Sequence, residues 1–346
     1  MIIMGIESSC DETSISIVED GRKILSNIIF SQIDIHKIYG GVVPEIASRE
    51  HIKAINYVAK EALEVADKSF EDIELVAVTK GPGLVGALLV GMSFAKGLAA
   101  ALNLPLIGVN HMEGHICANY LQYEELEPPF ISLVVSGGHS YLVDVKSYTE
   151  YEVIGRTRDD AAGESFDKVS RSLGLGYPGG PAIQKASEQG NKDAIEFPRV
   201  MLEKDSYDFS FSGLKTAVLN YLNQEKMSGN EVNPYDVAAS FQAAVNDVLV
   251  SKSVRLAKEK GRDKFVLSGG VAANRDLRNR LTEELEKLDI KVYYPEMSLC
   301  TDNAAMIASA GYFNYLESGA DTLKINVVPN LGLEKEWYDW TYKKFK

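Results

Sequence analysis

The same order of elements occurs twice along this chain of 346 residues. In each copy, a pair of short strands is followed by a further strand, a glycine-rich turn, a helix, another strand and a polar cluster. The first copy begins with a hairpin over residues 2–19 and ends at 110–115, and the second begins at 130–145 and ends at 301–303. This repeat predicts an α/β fold made by duplication of one unit, with ligand-binding groups beyond the carboxyl ends of its strands.

The repeat divides the chain into two predicted lobes, residues 1–128 and 129–346. In the second lobe, the segment near 178–213 is polar, rich in glycine and without hydrophobic periodicity, so we expect an irregular insertion there. The most apolar run, residues 81–95, ends before Lys96 and is shorter than a bilayer span, which favours a buried helix over a membrane segment.

Charge and cysteine content narrow the functional classes. The chain has 36 Lys and Arg against 49 Asp and Glu, a formal charge of −13, so a nucleic acid would have to meet a local basic surface. The cations that could form a basic rim in the second half are Arg156, Arg158, Lys168, Arg171, Arg275, Arg278 and Arg280.

Three cysteines do not make a disulfide framework, and the first residues lack the pattern of a signal peptide. We therefore expect a cytoplasmic protein that does not use a membrane.

The spacing of two histidines indicates a metal site. His111 and His115 stand at i and i+4, so on a helix they share one face and could chelate one ion. Asp302 holds the corresponding place in the second copy, and two imidazoles with one carboxylate suit Fe²⁺ or Zn²⁺. The alternative is a pair of hydrogen-bonding histidines on a helix surface. Because Met112 stands where the HExxH motif has its glutamate, a metallopeptidase is disfavoured.

Two Ser-Gly-Gly turns, residues 136–138 and 268–270, each follow a predicted strand. Without side chains, their backbone N–H groups can approach an anion. We interpret them as one turn per repeat, together holding a nucleotide phosphate between the lobes. Asp167, Gly180 and Asn274 are candidates for contacts to the nucleotide, although a helix cap or a surface position is the alternative for each.

Residues 81–86 fit the pattern GxGxxG after a strand. A carboxylate about 20 residues further on, which a dinucleotide site would need for the ribose, is missing. The pattern therefore leaves two possibilities open, a dinucleotide site or close packing of a helix on the sheet. A P-loop is excluded because GxxxxGK[ST] does not occur.

Several segments together resemble the bacterial TsaD family, once labelled glycoprotease. They include GIESSCDET, GGVVPEIASR, the stretch from Lys96 to His115, VSGGH, FSFSGLK and LSGGVAAN. The resemblance covers nearly the whole chain. It implies the actin/sugar-kinase/Hsp70-like (ASKHA) architecture of two duplicated ribonuclease-H-like lobes. It also implies transfer of a threonylcarbamoyl group from threonylcarbamoyl-AMP to the N6 amine of adenosine 37, 3′ of the anticodon, in tRNAs that read codons starting with adenine.

The same resemblance implies one Fe²⁺ held by His111, His115 and Asp302, with Zn²⁺ as a possible substitute in vitro. The resemblance also gives candidate residues for binding the adenylate, or ATP or ADP in the same site, and we add to them the two glycines of the second Ser-Gly-Gly turn. The full set is Val134, Val135, Ser136, Gly137, Gly138, Asp167, Gly180, Gly269, Gly270 and Asn274. Asp11 and Glu12, at the tip of the first hairpin, are candidate acceptors of the amine proton, with a surface turn as the alternative.

The partners implied are tRNA, TsaB as a heterodimer partner, the ATPase TsaE, and a separate enzyme that supplies threonylcarbamoyl-AMP. Two other classes stay open at this point. A metal-dependent peptidase would use the histidine pair without the HExxH glutamate. An ATP-binding kinase or chaperone of the same fold would leave the histidine pair without a task.

Overall fold

The computed structural model of the chain describes residues 1–201, 203 and 205–334. Two compact units form. The first contains residues 1–128, 145–152 and the segment from Pro295 onward, and the second contains residues 129–144 and 153–294. These units differ from the proposed lobes 1–128 and 129–346 mainly in that the segment after Tyr294 belongs to the first unit. Residues 335–346, the end of the proposed second lobe, lie outside the described residues.

Strands and helices follow the predicted alternation closely. The strands of the described residues are β1 (Ile2–Glu7), β2 (Glu12–Glu19), β3 (Lys23–Ser31), β4 (Leu75–Gly81), β5 (Leu106–Asn110), β6 (Phe130–Val135), β7 (Ser140–Val145), β8 (Tyr151–Arg156), β9 (Lys264–Ser268) and β10 (Lys291–Tyr293). The α-helices of the same residues are α1 (Ile33–Lys37), α2 (Pro44–Val65), α3 (Val85–Leu102), α4 (His111–Cys117), α5 (Ala162–Ser172), α6 (Gly179–Ser187), α7 (Ser212–Ser228), α8 (Pro234–Lys260), α9 (Arg275–Glu286), α10 (Met297–Cys300) and α11 (Ala304–Ser318).

The sheet of the first unit has the order β3-β2-β1-β4-β5. Its first three strands are antiparallel, while β1, β4 and β5 run parallel to one another. The parallel strands are almost wholly buried, as expected for strands covered on both faces. Their carboxyl ends therefore meet at one edge of the sheet, which brings together Glu7 of β1, Thr79 of β4 and the start of α4.

Helix α3 occupies the apolar run that the sequence placed in the core. Within the described part of the chain, it is the one helix that passes a length-and-composition test for a membrane span, a test that core helices also pass. One face of the helix is buried, including Leu88, Met92 and Ala95. Met92 and Ala95 belong to the core cluster of the first unit that also contains Ile6 of β1 and Val58 of α2. This packing agrees with the predicted buried helix.

The sheet of the second unit has the order β10-β9-β6-β7-β8, and β6, β9 and β10 are parallel. Read from β8 to β10, this order repeats that of the first sheet strand for strand, with β6 in the place of β1, β9 in that of β4 and β10 in that of β5. The duplicated α/β architecture predicted from the repeat is therefore confirmed.

The segment predicted as an irregular insertion is only partly irregular. Helix α6 occupies its first residues, whereas residues 188–211, as far as they are described, contain a single bridge between Thr157 and Phe209. Helix α6 packs against α5 and α8 through Ile183 and Ala186, which are buried. Two turns of helix carry too few apolar positions to show a helical period, which is why the sequence pattern missed this helix.

Candidate metal and nucleotide sites

The two histidines of the predicted metal site lie on one short helix. Strand β5 passes directly into α4, and the side chain of Asn110 caps the helix by accepting a hydrogen bond from the Met112 N–H, 2.9 Å away. Helical spacing then brings the rings of His111 and His115 to 4.7 Å between centroids, edge to face. Both rings are buried, so the pair does not form an exposed helix surface.

Asp302 joins the histidines, as the sequence predicted. It lies between α10 and α11, and its Oδ1 is 3.3 Å from Nε2 of His111 and 3.3 Å from Nε2 of His115. One potential ligand atom from each residue falls within 4.8 Å of the others. Asn303 fixes the next step of the chain by capping α11 through the Met306 N–H. All three residues belong to the first unit.

The chemistry of this cluster fits a metal ion. Both ring nitrogens of His115 are buried and neither makes a hydrogen bond, although Nε2 faces Oδ1 of Asp302 at 3.3 Å. An unsatisfied buried polar atom costs about 1–3 kcal/mol, and a bound cation would remove that cost for one of these nitrogens. Two imidazoles with a carboxylate also match the donor preferences of Fe²⁺ and Zn²⁺. The cluster can therefore hold a divalent metal.

A fourth residue, Glu7, lies behind His111. Its carboxylate is 0% exposed, and its Oε2 lies 2.9 Å from Nδ1 of His111. The hydroxyl of Thr79 and the backbone N–H of Ser9 also donate to this carboxylate. Sequence reasoning did not single out Glu7. The available signal was a glutamate at the carboxyl end of an otherwise apolar strand.

The cluster shifts the pKa values of its members in opposite directions. Burial alone would lower the pKa of His111, but the carboxylates of Asp302 and Glu7 outweigh it and raise that pKa well above its ordinary value. For Asp302, burial is likewise outweighed, by the two histidines, and its pKa falls far below the usual range. Burial lowers the pKa of His115. These opposing shifts indicate a negatively charged Asp302 beside a readily protonated His111. A bound cation could take the place of the positive charge on that imidazole.

Of the candidate proton acceptors, Asp11 lies in the loop between β1 and β2, and Glu12 is the first residue of β2. Asp11 is buried rather than at an exposed turn, and Glu12 accepts a hydrogen bond from the Ser31 hydroxyl at 3.1 Å. Burial, with the nearby carboxylates of Asp11 and Asp302, raises the pKa of Glu12 well above its ordinary value. His51 supports this loop by bonding to the Cys10 carbonyl and the Thr13 hydroxyl, 3.0 and 2.7 Å from its ring nitrogens.

The two Ser-Gly-Gly turns are neighbours within the second unit. They follow the adjacent parallel strands β6 and β9, where Val134 pairs with Ser268. The interpretation of one turn per repeat is therefore wrong, because both turns belong to residues 129–294 of that unit. Both turns already stand in the second copy along the chain, and the structure adds that the strands they follow are adjacent.

Several glycines of this region face open space. A Cβ added at Gly137, Gly138, Gly180 or Gly270 would meet no atom within 4 Å. In contrast, Gly269 has φ +88°, and a Cβ there would collide with the Val135 carbonyl. The first four positions thus leave backbone exposed to a ligand, whereas Gly269 shapes the turn.

The other predicted nucleotide residues have structural partners. The side chains of Val134 and Val135 are buried, so they offer a ligand only their backbone. Asp167 accepts a hydrogen bond from the Gly179 N–H at 2.6 Å, at the start of α6. Asn274 caps α9 through the Leu277 N–H and donates to Gln242. The cap alternative therefore applies to Asn274, and the predicted nucleotide contacts of these residues stay predictions.

The glycines of the GxGxxG pattern serve close packing. A Cβ at Gly83 would lie 2.7 Å from the Ser9 side chain, and one at Gly81 or Gly86 would overlap Val328 or Ser48. Of the two possibilities left open by the sequence, these contacts favour close packing, and the packing is against the β1–β2 loop, α2 and the segment around Val328 rather than the sheet itself.

Several cations of the proposed rim form ion pairs with nearby acids. Arg158 pairs with Asp208 and Glu203, Lys168 with Asp160 and Glu164, and Arg280 with Asp247 and Asp276. Arg278 lies over the Tyr294 ring at 4.5 Å. The side chain of Arg275 is 78% exposed and reaches Glu188 only at 3.7 Å. Arg275 is therefore an exposed cation that can meet a phosphate.

Comparison with known proteins gives the family. The family model described as TsaD, tRNA N6-adenosine threonylcarbamoyltransferase, matches residues 23–309. The tRNA N6-adenosine threonylcarbamoyltransferase of Clostridioides difficile (strain 630) is 57% identical over 335 residues, covering 97% of this chain and 99% of that protein. The enzyme of the same description from Clostridium perfringens (strain 13 / Type A) is 58% identical over 332 residues, covering 96% of this chain and 98% of that protein.

Solved structures support the fold. The chain is similar to full-length HypF in its phosphate- and nucleotide-bound form, with a TM-score of 0.62 and 19% identity over 92% of this chain and 56% of HypF. At this identity the likeness shows the fold alone, and it confirms the actin/sugar-kinase/Hsp70-like architecture. With a family model matched over most of its length and relatives more than half identical, the chain belongs to the TsaD family of tRNA N6-adenosine threonylcarbamoyltransferases and is an enzyme of that class.

Proposed function

We propose that this transferase moves the threonylcarbamoyl group of threonylcarbamoyl-AMP to the N6 amine of adenosine 37 in tRNAs that read codons starting with adenine. Within the family, the observation that supports this proposal most is the cluster of His111, His115 and Asp302, in which Nδ1 of His115 is buried without a hydrogen bond and its Nε2 faces Asp302. A buried site with divalent-metal donors suits an acyl transfer that needs strong polarisation. A metallopeptidase or a kinase of the same fold is not favoured by the family assignment.

We propose that these three residues hold one Fe²⁺, for which Zn²⁺ could substitute in vitro. When bound, such an ion supplies Lewis-acid polarisation of a carbonyl or phosphoryl oxygen. The protein's own contribution is to hold the donors together in a buried environment, where electrostatic interactions are stronger than in water.

The glycine surface of the second unit is the proposed adenylate site. Backbone N–H groups near Gly137, Gly138 and Gly270 would donate to the phosphate, because open space lies over these positions. Such donors stabilise the negative charge that grows on AMP as it leaves. Asp167 and Asn274 border the same surface through the starts of α6 and α9.

The reaction forms a bond from the adenosine N6 to the carbamoyl carbon and breaks the bond from that carbon to the AMP phosphate oxygen. The amine loses a proton, for which Asp11 and Glu12 are the proposed acceptors. Because the pKa of Glu12 is raised, its carboxylate is a stronger base than an ordinary carboxylate. Burial of this loop also limits competing attack by water.

The proposed partners are tRNA, TsaB, the ATPase TsaE and a separate threonylcarbamoyl-AMP synthase, in the cytoplasm. Exposed apolar side chains on α2 and α3, among them Tyr57 and Val85, offer a surface for TsaB. Arg275 is the proposed first contact for tRNA phosphates.

The decisive experiment combines the metal-loaded protein, threonylcarbamoyl-AMP and unmodified tRNA, with and without TsaB and TsaE, and analyses the nucleosides by mass spectrometry. We expect threonylcarbamoyl-adenosine with the wild type and none with His115→Ala. A kinase would instead phosphorylate a small substrate without tRNA, and a peptidase would cleave a protein substrate. If the wild type gives no modified nucleoside even with both partners present, the proposed reaction is wrong.

A further inference from the structure

We infer that Glu7 is a positioning residue of the metal site, which holds the imidazole of His111 so that its Nε2 faces the ion. This inference rests on the metal site proposed above. It starts from the location of Glu7 at the carboxyl end of β1, where its side chain is 0% exposed. A buried carboxylate is costly unless several donors satisfy it, so its partners indicate what it is there to hold.

Those partners come from three parts of the first unit. Oε2 lies 2.9 Å from Nδ1 of His111 and accepts the Thr79 hydroxyl at 2.6 Å. Oε1 accepts the backbone N–H of Ser9. The Thr79 hydroxyl and the Ser9 N–H thus donate to different oxygens, so both oxygens of Glu7 act as acceptors, as they do in an ionised carboxylate.

An anionic carboxylate cannot donate, which fixes the tautomer of His111. The hydrogen between the two residues must reside on Nδ1, and the lone pair of the neutral ring is then on Nε2. That nitrogen is the one 3.3 Å from Oδ1 of Asp302. The Ser9 hydroxyl, 3.2 Å from the same Nδ1, is a longer and neutral alternative acceptor. Carboxylates that orient a metal-ligating imidazole in this way also raise its basicity.

Charge balance points the same way. Glu7 contributes a fully buried negative charge beside His111, which a divalent cation held by the histidines and Asp302 would favour. Replacing Glu7 by Gln removes that charge next to the site. His115 has no comparable partner on the far side of its ring, since its Nδ1 is buried without a hydrogen bond while its Nε2 faces Asp302.

A purely structural explanation would be that Glu7 only ties β1 to β4 through Thr79. The two explanations predict different metal affinities when Glu7 is replaced. Glu113 provides a matched control, because it is buried on the same helix as His111 but bonds to Asn314 and Tyr151, 2.8 and 3.3 Å away. Glu113→Gln thus removes a buried charge from α4 that is not the one facing Nδ1 of His111.

The test measures the affinity of the metal-free full chain for Zn²⁺ alone by competition with a chromophoric chelator. We expect Glu7→Gln to bind Zn²⁺ about 10–100-fold more weakly than the wild type, and Glu113→Gln to stay within about twofold. Equal affinities of Glu7→Gln and the wild type would overturn the inference and leave the metal site intact. Equally weak binding by the wild type and His115→Ala would instead overturn the metal site and the inference with it.

A second measurement needs no Glu7 variant and therefore decides the question even if Glu7→Gln does not fold. In the Zn²⁺-loaded wild type labelled with ¹⁵N-histidine, we expect His111 to show a protected hydrogen on Nδ1 and a metal-bound Nε2. A role in tying strands together would not set this signature. If the hydrogen is found on Nε2, or Nδ1 binds the metal, the inference is wrong.

Discussion

Nε2 of His115 lies 3.3 Å from Oδ1 of Asp302, although the whole second unit separates the two residues along the chain. The contact depends on the return of the chain to the first unit after Tyr294. Helix α11 packs there against β1 and α4, with Gly5 of β1 close to Ala304 and Ala308. The same packing therefore builds the core and brings the third metal donor to the histidines.

Removing that donor should cost metal binding without unfolding the protein. We expect Asp302→Asn to weaken Zn²⁺ affinity by at least about 100-fold, more than the loss of an outer partner such as Glu7, and to abolish transfer. Asp289→Asn is the matched control, since Asp289 is exposed with φ +58°, a conformation that Asn tolerates. Metal competition titrations and unfolding curves measure both effects. Full affinity in Asp302→Asn would remove this residue from the site.

The glycine surface should respond differently at its open and its packed positions. We expect Gly137→Ala to leave stability unchanged and to weaken ADP binding about tenfold, because its methyl group would occupy open space over the turn. Gly269→Ala should destabilise the fold by about 1–3 kcal/mol, since its φ is +88° and its Cβ would overlap Val135. Calorimetry with ADP and urea unfolding separate the two. Unchanged ADP affinity in Gly137→Ala would contradict the adenylate site.

Loss of the proton acceptor should slow the chemical step alone. We expect Asp11→Asn or Glu12→Gln to lower the single-turnover transfer rate by about 10²–10⁴-fold with Zn²⁺ and ADP affinities unchanged. Glu19→Gln, at the other end of β2 and paired with Lys23 on the surface, is the control. If both Asp11→Asn and Glu12→Gln keep the full rate, neither carboxylate accepts the proton.

His51 should make stability depend on pH. Burial lowers its pKa in the folded protein, so the unfolded chain binds a proton first as the pH falls. The contribution of His51 to the free energy of unfolding is therefore complete above the unfolded pKa of about 6.5. It is lost as the pH falls from there through the lowered pKa of the folded protein. We expect the wild type to lose more stability than His51→Gln between about pH 7.5 and 5.5 in urea unfolding. Parallel losses would show that His51 does not titrate this way.

Arg275 should contribute to tRNA affinity through its charge. We expect Arg275→Ala to weaken tRNA binding and to leave ADP binding unaffected. The slope of the logarithm of tRNA affinity against the logarithm of salt concentration should become shallower by about one. Lys287→Ala, directly after the same helix and also exposed, is the control because Glu284 already pairs with it. Titrations of tRNA at several salt concentrations test this. An unchanged salt slope would exclude Arg275 from the tRNA surface.

The sequence by itself determined the elements and the residue types of the site. The i,i+4 spacing put His111 and His115 on one helical face, and the repeat named Asp302 as their partner, because both features depend on local periodicity and order. It also indicated the duplicated sheets, the buried α3 and the family. Local pattern did not show α6, whose two turns depend on packing against α5 and α8.

Only the tertiary structure decided which segments meet. The second Ser-Gly-Gly turn lies beside the first because β6 and β9 are adjacent strands, and Asp302 joins the first unit because α11 packs on its sheet. Glu7 became part of the site because parallel strands end at a common edge, beside α4. These outcomes come from contacts between residues far apart in sequence, whose free energy depends on the shape of the folded core and leaves no periodic trace in the chain.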